Sequence, residues 1–369
     1  MLKQIFKNRV GVADSSSDAH VFANSRLLSH RCINIVYDGA DYFLRDSALI
    51  EWLQRYEHYV ICGTGGSIGI SEVFQCFFDA TKLTVCDDIE YNVLKRVYVE
   101  HQNAGFIFIS KSGTTYETLI QLRSLIDYGL PHKQILIVTQ QHLSPMRCIA
   151  EELCLLHREH PEDIGGRFAA FSIVGLLPLY LAGQDVMHYL QTAADFVERG
   201  WNLMACNADF RVENATSSAG ALFLYEASRA GANLMVNFVY GRRLSAFNSW
   251  LSQLIAESCG KNSSGILPLG CIGPRDQHSV LQFLLDGACR PAWTFIADSQ
   301  DVRVMQMCEN TFADVENEHM RLFKIRSAEN LYELLMHFII EVILFCDLLN
   351  INAFSQEAVE QLKQKFIAK

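Results

Sequence analysis

Several features that would mark a particular class of protein are missing from this sequence of 369 residues. Its twelve cysteines form no Cys-x-x-Cys pair, and its 41 acidic residues outnumber its 31 lysines and arginines. A net charge of −10 gives no basic field of the kind that nucleic-acid binding requires, so we expect no nucleic-acid partner. With only seven prolines and no low-complexity linker, the chain predicts about two closely packed domains of ~100–200 residues each.

Long uninterrupted apolar segments are also missing. The uncharged run 168–182 is shorter than the ~20 residues that cross a bilayer, and the stretch 331–351 carries Glu333, His337 and Glu341, which is typical of a core helix. Residues 1–7 lead into polar sequence without the apolar segment of a secretory signal. We therefore expect no membrane partner and a cytoplasmic location, in which reduced cysteines are mostly buried.

Apolar runs separated by helix-length sequence predict two α/β units, each with a mainly parallel sheet. Continuous rather than alternating apolar runs are typical of strands that helices cover on both faces. The predicted strands are 58–62, 83–86, 105–109, 134–138, 234–239, 265–269 and 293–297. The predicted helices of the second unit are 247–258, 277–286 and 328–349.

The same pattern predicts the organisation of the chain. An N-terminal segment (1–40) precedes a first domain (41–190) and a second domain (191–350). A C-terminal helix (351–369) carries Lys363.

A glycine-rich loop at 63–69 follows the first strand directly and contains Gly66 and Ser67. Glycines let the backbone approach an anion, and the helix that follows offers free N–H groups. The loop could instead belong to a dinucleotide site, with Asp87 or Asp88 about 20 residues on to hold a ribose, although Ile68 stands where that motif needs its third glycine. A purely structural turn is the remaining alternative.

A stretch rich in hydroxyl groups, 110–118, follows the third strand. Its serine and threonine hydroxyls can satisfy phosphate oxygens, and Lys111 adds positive charge. The alternative is helix capping, with Thr114 and Glu117 as a capping box. Because ligands bind at the carboxyl ends of parallel strands, we expect this stretch and the glycine-rich loop at one edge of the sheet.

Two further motifs carry groups suited to proton transfer and charge stabilisation. Arg167 lies between two glycines and an uncharged run, which favours an anion as its partner; a loop arginine without a role is the alternative. Gln253 and Glu257 are four residues apart and share a helix face. Glu257 follows three apolar residues and could act as a general base, unless it simply faces solvent.

The last two motifs lie nearer the C-terminus. His278, beside Asp276 at a predicted loop-to-helix junction, could shuttle protons near neutral pH; a polar cluster at a helix start is the alternative. Gln356 and Lys363 are seven residues apart and would share a helix face, which a solvated face also explains.

A metal site is not expected. The residues Cys154, His157 and His160 have the spacing of a metal-binding motif, but 157–163 has the sequence of a solvated loop.

Taken in this order, the six motifs closely resemble those of the glucose-6-phosphate isomerase (phosphoglucose isomerase) family, over about residues 58–363. The resemblance implies two sugar-isomerase (SIS) domains, each a mainly parallel sheet flanked by helices, and a homodimer with active sites at the subunit interface. It implies interconversion of glucose 6-phosphate and fructose 6-phosphate, in glycolysis and gluconeogenesis, through a cis-enediol(ate) intermediate. No cofactor is implied, because one carboxylate can carry the proton.

The resemblance also implies a role for each candidate residue. Glu257 matches the catalytic base, Arg167 the group that stabilises the intermediate, and His278 and Lys363 the pair that assists ring opening, with the histidine supplied by the partner subunit. The remaining matches hold the phosphate or line the sugar: Gly66, Ser67, Ser110, Lys111, Ser112, Thr115, Gln253 and Gln356.

The sequence departs from the family pattern at 352–360, where two prolines and a glycine are absent, and at Ala169, where a small hydroxyl residue is common. Three other functions stay open. They are a non-catalytic sugar-phosphate sensor built on the same domains, an isomerase of another sugar phosphate, and an NAD-dependent enzyme that uses the glycine-rich loop.

Overall fold

The computed structural model describes residues 30–200, 209–210, 216–315 and 319–359. The chain divides into two compact units, which are described separately. The first unit comprises Asn34–Ala194 and Arg242–Trp250. The second comprises, of the described residues, 30–33, 195–200, 209–210, 216–241, 251–315 and 319–359. The predicted domain boundaries stay a prediction.

Fourteen α-helices lie in the described part of the chain: α1 (Arg31–Asn34), α2 (Gly39–Leu44), α3 (Ser47–Leu53), α4 (Gly69–Phe78), α5 (Tyr91–Glu100), α6 (Tyr116–Asp127), α7 (Pro145–Glu152), α8 (Ile173–Leu181), α9 (Val186–Glu198), α10 (Ser217–Arg229), α11 (Ser245–Cys259), α12 (Leu281–Asp286), α13 (Val302–Asp314) and α14 (Ala328–Leu348). Residues 357–359 are also helical.

The ten strands that the structure describes are β1 (Tyr59–Cys62), β2 (Leu83–Cys86), β3 (Gly105–Ile109), β4 (Ile135–Thr139), β5 (Leu156–Glu159), β6 (Asp209–Phe210), β7 (Leu234–Tyr240), β8 (Leu267–Gly273), β9 (Pro291–Asp298) and β10 (Met320–Ile325).

The sheet of the first unit has the order β2-β1-β3-β4-β5, and all its neighbouring strands are parallel. Its central strands β1, β3 and β4 are fully buried, as the continuous apolar runs predicted. The side chains on one face pack against helices α5, α6 and α7 in one apolar core. Because β1 and β3 are parallel, the loops that follow them both lie at the edge of the sheet where the strands have their carboxyl ends.

The sheet of the second unit has the order β6-β10-β9-β7-β8. Only the pair β6–β10 is antiparallel among the pairs in this sheet of the described chain. Strand β9 is buried along its whole length, and β7 along all but its first residue. The predicted α/β fold, with two mainly parallel sheets flanked by helices, is therefore confirmed.

Helix α14 is the most deeply buried helix of the second unit, with every residue from 330 to 346 buried. It includes Glu333, His337 and Glu341, and the core helix that the sequence predicted at 328–349 is confirmed. In the part of the chain that the structure describes, no helix combines the length and the apolar character needed to cross a membrane.

Some local predictions are wrong. Residues 157–159 belong to strand β5 rather than a solvated loop, and His160 is buried. The single helix predicted at 277–286 is a 3₁₀ turn, Arg275–His278, followed by the short α12. Strands β6 and β10 were not predicted, because β6 has two residues and β10 carries Arg321 and Lys324 within its apolar run.

Candidate active site

The two phosphate-binding candidates of the first unit follow neighbouring parallel strands. The glycine-rich loop, with its 3₁₀ turn Gly65–Ser67, comes after β1, and the hydroxyl-rich stretch comes after β3. Since β1 and β3 pair in parallel register, both loops leave the sheet at its carboxyl edge. The expectation that they share one edge is confirmed.

The hydroxyl groups after β3 are oriented by one another. The buried Ser110 hydroxyl donates to the Thr115 hydroxyl at 2.9 Å and accepts from the Gly113 N–H at 3.2 Å. The Ser112 hydroxyl accepts from both the backbone N–H and the hydroxyl of Thr114. Gly113 has a φ of +63°, and a Cβ there would lie 2.2 Å from the Ser144 hydroxyl, so only glycine lets the loop turn this tightly.

The capping-box alternative for this stretch is wrong. Helix α6 begins at Tyr116, with Thr115 as its N-cap, and no side chain caps it there. Thr114 instead bonds to Ser112. The hydroxyls of Ser110, Ser112 and Thr114 therefore bond within the loop that precedes α6 and do not cap the helix.

Two glycines bring the Arg167 segment against the glycine-rich loop. An ideal Cβ on Gly66 would lie 2.6 Å from the backbone N of Arg167 and 2.8 Å from the carbonyl carbon of Gly166. A Cβ on Gly166 would in turn lie 3.1 Å from the carbonyl carbon of Gly66. This close approach of backbones holds the Arg167 segment against the glycine-rich loop. Arg167 is 4% exposed, and its guanidinium lies 5.1 Å from the centre of the Phe168 ring, which does not fit a solvated loop arginine.

Gln121 is a site-supporting residue that the sequence analysis missed. Its buried side-chain amide donates to the backbone carbonyls of Gly63, Cys86 and Asp88, at 3.4, 3.2 and 3.0 Å. These contacts fix the glycine-rich loop to the end of β2. A polar residue on the buried face of α6, beside Leu122 and Leu125, was the available indication.

The dinucleotide alternative gains no support from these loops. The Asp88 carboxylate accepts a hydrogen bond from the backbone N–H of Glu90 at 2.7 Å and so closes its own turn.

A neutral histidine lies near Lys111. Burial lowers the pKa of His160 to about 4; a hydrogen bond to the Pro161 carbonyl opposes that shift, and the charge of Lys111 adds to it. Cys154 is exposed, whereas His160 is buried at the end of β5. Among the described residues, no group of three or more His, Cys, Asp or Glu side chains is placed to hold a metal ion.

In the second unit, Gln253 and Glu257 both lie on α11. The Gln253 Nε2 donates to Glu257 Oε1 at 2.7 Å, which orients the carboxylate. Glu257 is partly buried and lines a cavity of about 760 Å³. Gln356 lines the same cavity, so the structure brings together the two residues that the sequence placed about 100 positions apart.

The ring-opening candidates are placed differently. His278 is exposed at the end of the 3₁₀ turn Arg275–His278, and it is not among the residues that line the Glu257 cavity. The neighbouring Asp276 fixes this turn, because it accepts from the backbone N–H of Ile272 at 2.7 Å and pairs with Arg275. Lys363 lies outside the described residues.

Comparisons with known proteins show which family the chain is similar to. The family model described as phosphoglucose isomerase matches residues 56–317. The chain is 30% identical over 355 residues to a glucose-6-phosphate isomerase of Methanocaldococcus jannaschii, covering 85% of this chain and 84% of that protein. It is 27% identical over 315 residues to a glucose-6-phosphate isomerase of Campylobacter jejuni, covering 78% of this chain and 75% of that protein.

Solved structures share the fold. A hypothetical protein of Thermus thermophilus matches with a TM-score of 0.76 at 22% identity, over 96% of this chain and 94% of that one. A glucose-6-phosphate isomerase of Chlamydia trachomatis matches with a TM-score of 0.68 at 19% identity, over 99% of this chain and 77% of that one. Because the family model spans most of the chain and a relative reaches 30% identity over most of its length, this chain belongs to the phosphoglucose isomerase family.

Proposed function

We propose that the protein is an aldose–ketose isomerase that interconverts D-glucose 6-phosphate and D-fructose 6-phosphate. The observation that carries the proposal is the family match over 56–317, which includes both phosphate loops, Arg167 and the helix that bears Glu257. The relatives from M. jannaschii and C. jejuni are named for this reaction.

Glu257 is the proposed base. Its carboxylate takes a proton from one of the two carbons, C1 or C2, and returns it to the other, so the hydrogen moves while the carbonyl and hydroxyl exchange places. The bond from Gln253 orients the Glu257 carboxylate for this proton transfer. The proton stays on a single residue between the two steps, and no cofactor is required.

The remaining roles follow the family resemblance. The guanidinium of Arg167 stabilises the negative charge of the cis-enediol(ate), and burial strengthens that interaction. Gly66, Ser67, Ser110, Lys111, Ser112 and Thr115 hold the phosphate. Gln253 and Gln356 line the sugar, while His278 and Lys363 assist ring opening.

The proposal extends to assembly and location. The protein acts as a homodimer with its active site at the interface, and the exposure of His278 in the single chain supports its use by a partner subunit. The cysteines of the described chain are free and mostly buried, which favours a reducing compartment such as the cytoplasm.

Turnover of the purified protein tests the function directly. Fructose 6-phosphate is supplied, and glucose 6-phosphate is followed with a coupled dehydrogenase. We expect turnover by the wild type, and a loss of about 10²–10⁴-fold in kcat for Glu257→Gln, which keeps the shape but not the basicity of the side chain. Glu309→Gln is the matched control, because Glu309 pairs with Lys324 outside the cavity, and it stays active. A fully active Glu257→Gln enzyme would exclude Glu257 as the base.

A further inference from the structure

The segment that carries Gln356 is tied to the end of α11 by one side chain. Lys261 lies two residues after α11 ends, and its Nζ donates to the backbone carbonyl oxygen of Asn352 at 2.6 Å. This bond joins positions 91 residues apart in sequence. A short bond from an ammonium to a carbonyl is a charge-assisted hydrogen bond and therefore among the stronger kinds.

The same bond lies at the Glu257 cavity. Lys261 and Asn352 line that cavity together with Glu257 and Gln356. One wall therefore comes from the end of α11 and the loop after it, and another from residues 351–359. The Lys261–Asn352 bond joins these two walls.

The second wall also has contacts of its own, among them the Phe354 ring against the His30 ring at 4.3 Å, but its local sequence adds no proline restraint. Residues 352–359 contain no proline, so no ring restricts a backbone φ angle there. The turn is held by the Asn352 side chain, which accepts from the Phe354 N–H at 2.9 Å, and by burial of Ile351 and Ala353. Asn352 itself is exposed, and its carbonyl oxygen is the point that Lys261 holds.

We propose that Lys261 is a positioning residue for the isomerase: it holds the chain at Asn352 so that Gln356 stays at the cavity that Glu257 lines. This inference rests on the proposed function. It assigns Lys261 no contact with the sugar phosphate. Lys261 therefore affects turnover through the position of Gln356. A double-mutant cycle distinguishes this indirect effect from a direct role of Lys261.

The experiment measures kcat and KM for fructose 6-phosphate in wild type, Lys261→Met, Gln356→Ala and the double variant, with thermal unfolding of each. We expect Lys261→Met to lower kcat/KM roughly 10- to 100-fold, since a displacement of about 1 Å in a positioning group can cost that much. In the Gln356→Ala background the same substitution is expected to change kcat/KM by less than about twofold. Lys261→Arg, which keeps a charged donor, restores most of the loss.

Lys324→Met is the matched control, because that lysine pairs with Glu309 and does not line the cavity. If Lys261→Met does not fold, Lys261→Gln, with a shorter neutral donor, gives the same comparison. An unchanged kcat/KM, or an equal loss in both backgrounds, overturns the inference. An inactive wild type would instead contradict the proposed function.

Discussion

At the scale of the residue, the contact between Gly66 and the Gly166–Arg167 backbone determines where Arg167 lies. Both sides of the contact are main chain, so neither can yield as a flexible side chain would. The position of the buried Arg167 guanidinium therefore depends on Gly66, in the neighbouring loop, having no Cβ.

We expect Gly66→Ala to destabilise the protein by about 1–3 kcal/mol and to lower turnover, because the added Cβ forces the two loops apart. Gly165→Ala is the matched control, since a Cβ there meets only the Phe168 ring at 3.7 Å. Thermal unfolding and the coupled assay give both quantities. Equal stability of the two variants would contradict this interpretation of the contact.

At the scale of the element, helix α14 can lie in the core because its buried charged side chains are paired. Arg321 on β10 forms two hydrogen bonds to Glu341, at 2.7 and 2.8 Å, and both side chains are fully buried. The guanidinium also donates to Thr294 and lies within 5.5 Å of three phenylalanine ring centres. Burial raises the pKa of Glu341. The charge of Arg321 and the hydrogen bond with the His337 ring have the larger, opposite effect, so the pKa is lowered to about 2.

Removing one partner of this pair is expected to be costly. Glu341→Gln leaves the Arg321 charge buried without a counter-ion and lowers the free energy of unfolding by about 3–5 kcal/mol. Glu309→Gln, which breaks a partly exposed pair with Lys324, changes it by at most about 1 kcal/mol. Urea unfolding of both variants gives the comparison, and a Glu341→Gln protein as stable as the control would refute the argument.

Two stacked histidines lie shortly before strands β1 and β3 of the first sheet. The rings of His58 and His101 lie 4.4 Å apart and nearly parallel, and the His58 Nε2 bonds to the Thr84 hydroxyl at 2.9 Å. Burial lowers the pKa of both rings below 6.5; for His58 the charge of His101 adds to the effect, and for His101 that of Glu100 opposes it.

Because both folded-state pKa values are depressed, the neutral rings are favoured in the folded protein. Their contribution to stability is complete above pH 6.5 and is lost as the pH falls through the lowered values. We expect His101→Phe, which keeps a stacked ring but cannot titrate, to weaken this decline. Unfolding free energies measured from about pH 8 to about pH 5 test it, and parallel curves for the two proteins would rule it out.

The elements differ in how far the sequence could predict them. Strands β1, β3 and β4 are continuous apolar runs because helices cover both faces, so their sequence reports their burial. The edge strand β5 has polar sequence, and its Arg158 bonds to Asp46, 112 residues away, which no local pattern shows. Among the site residues, Glu257, the glycine-rich loop and the hydroxyl-rich stretch could be recognised from the local sequence. Gln121 and Lys261 did not, since their partners are far away in sequence.

At the scale of the whole molecule, the proposed sharing of His278 between subunits predicts complementation. Glu257→Gln and His278→Ala are each expected to be nearly inactive alone. In a dimer that contains one copy of each variant, one of the two active sites is intact. That site combines Glu257 of the His278→Ala chain with His278 of the Glu257→Gln chain. Random pairing on co-expression should therefore restore about one quarter of wild-type activity.

The control for this prediction is a mixture of the two variants purified separately and kept under conditions in which subunits do not exchange, which should stay inactive. No recovery on co-expression, with mixed dimers demonstrated, would show that His278 does not act across the interface.

The buried cysteines of the two units can report where the protein opens locally. Eleven cysteines lie in the described chain, all of them free, and only Cys148 and Cys154 are exposed. Cys62 and Cys86 are buried in the first unit, whereas Cys271 and Cys308 are buried in the second. A buried thiol reacts with an alkylating reagent only when its surroundings open. The order in which these sites become labelled would therefore rank the two units by local stability without any introduced probe.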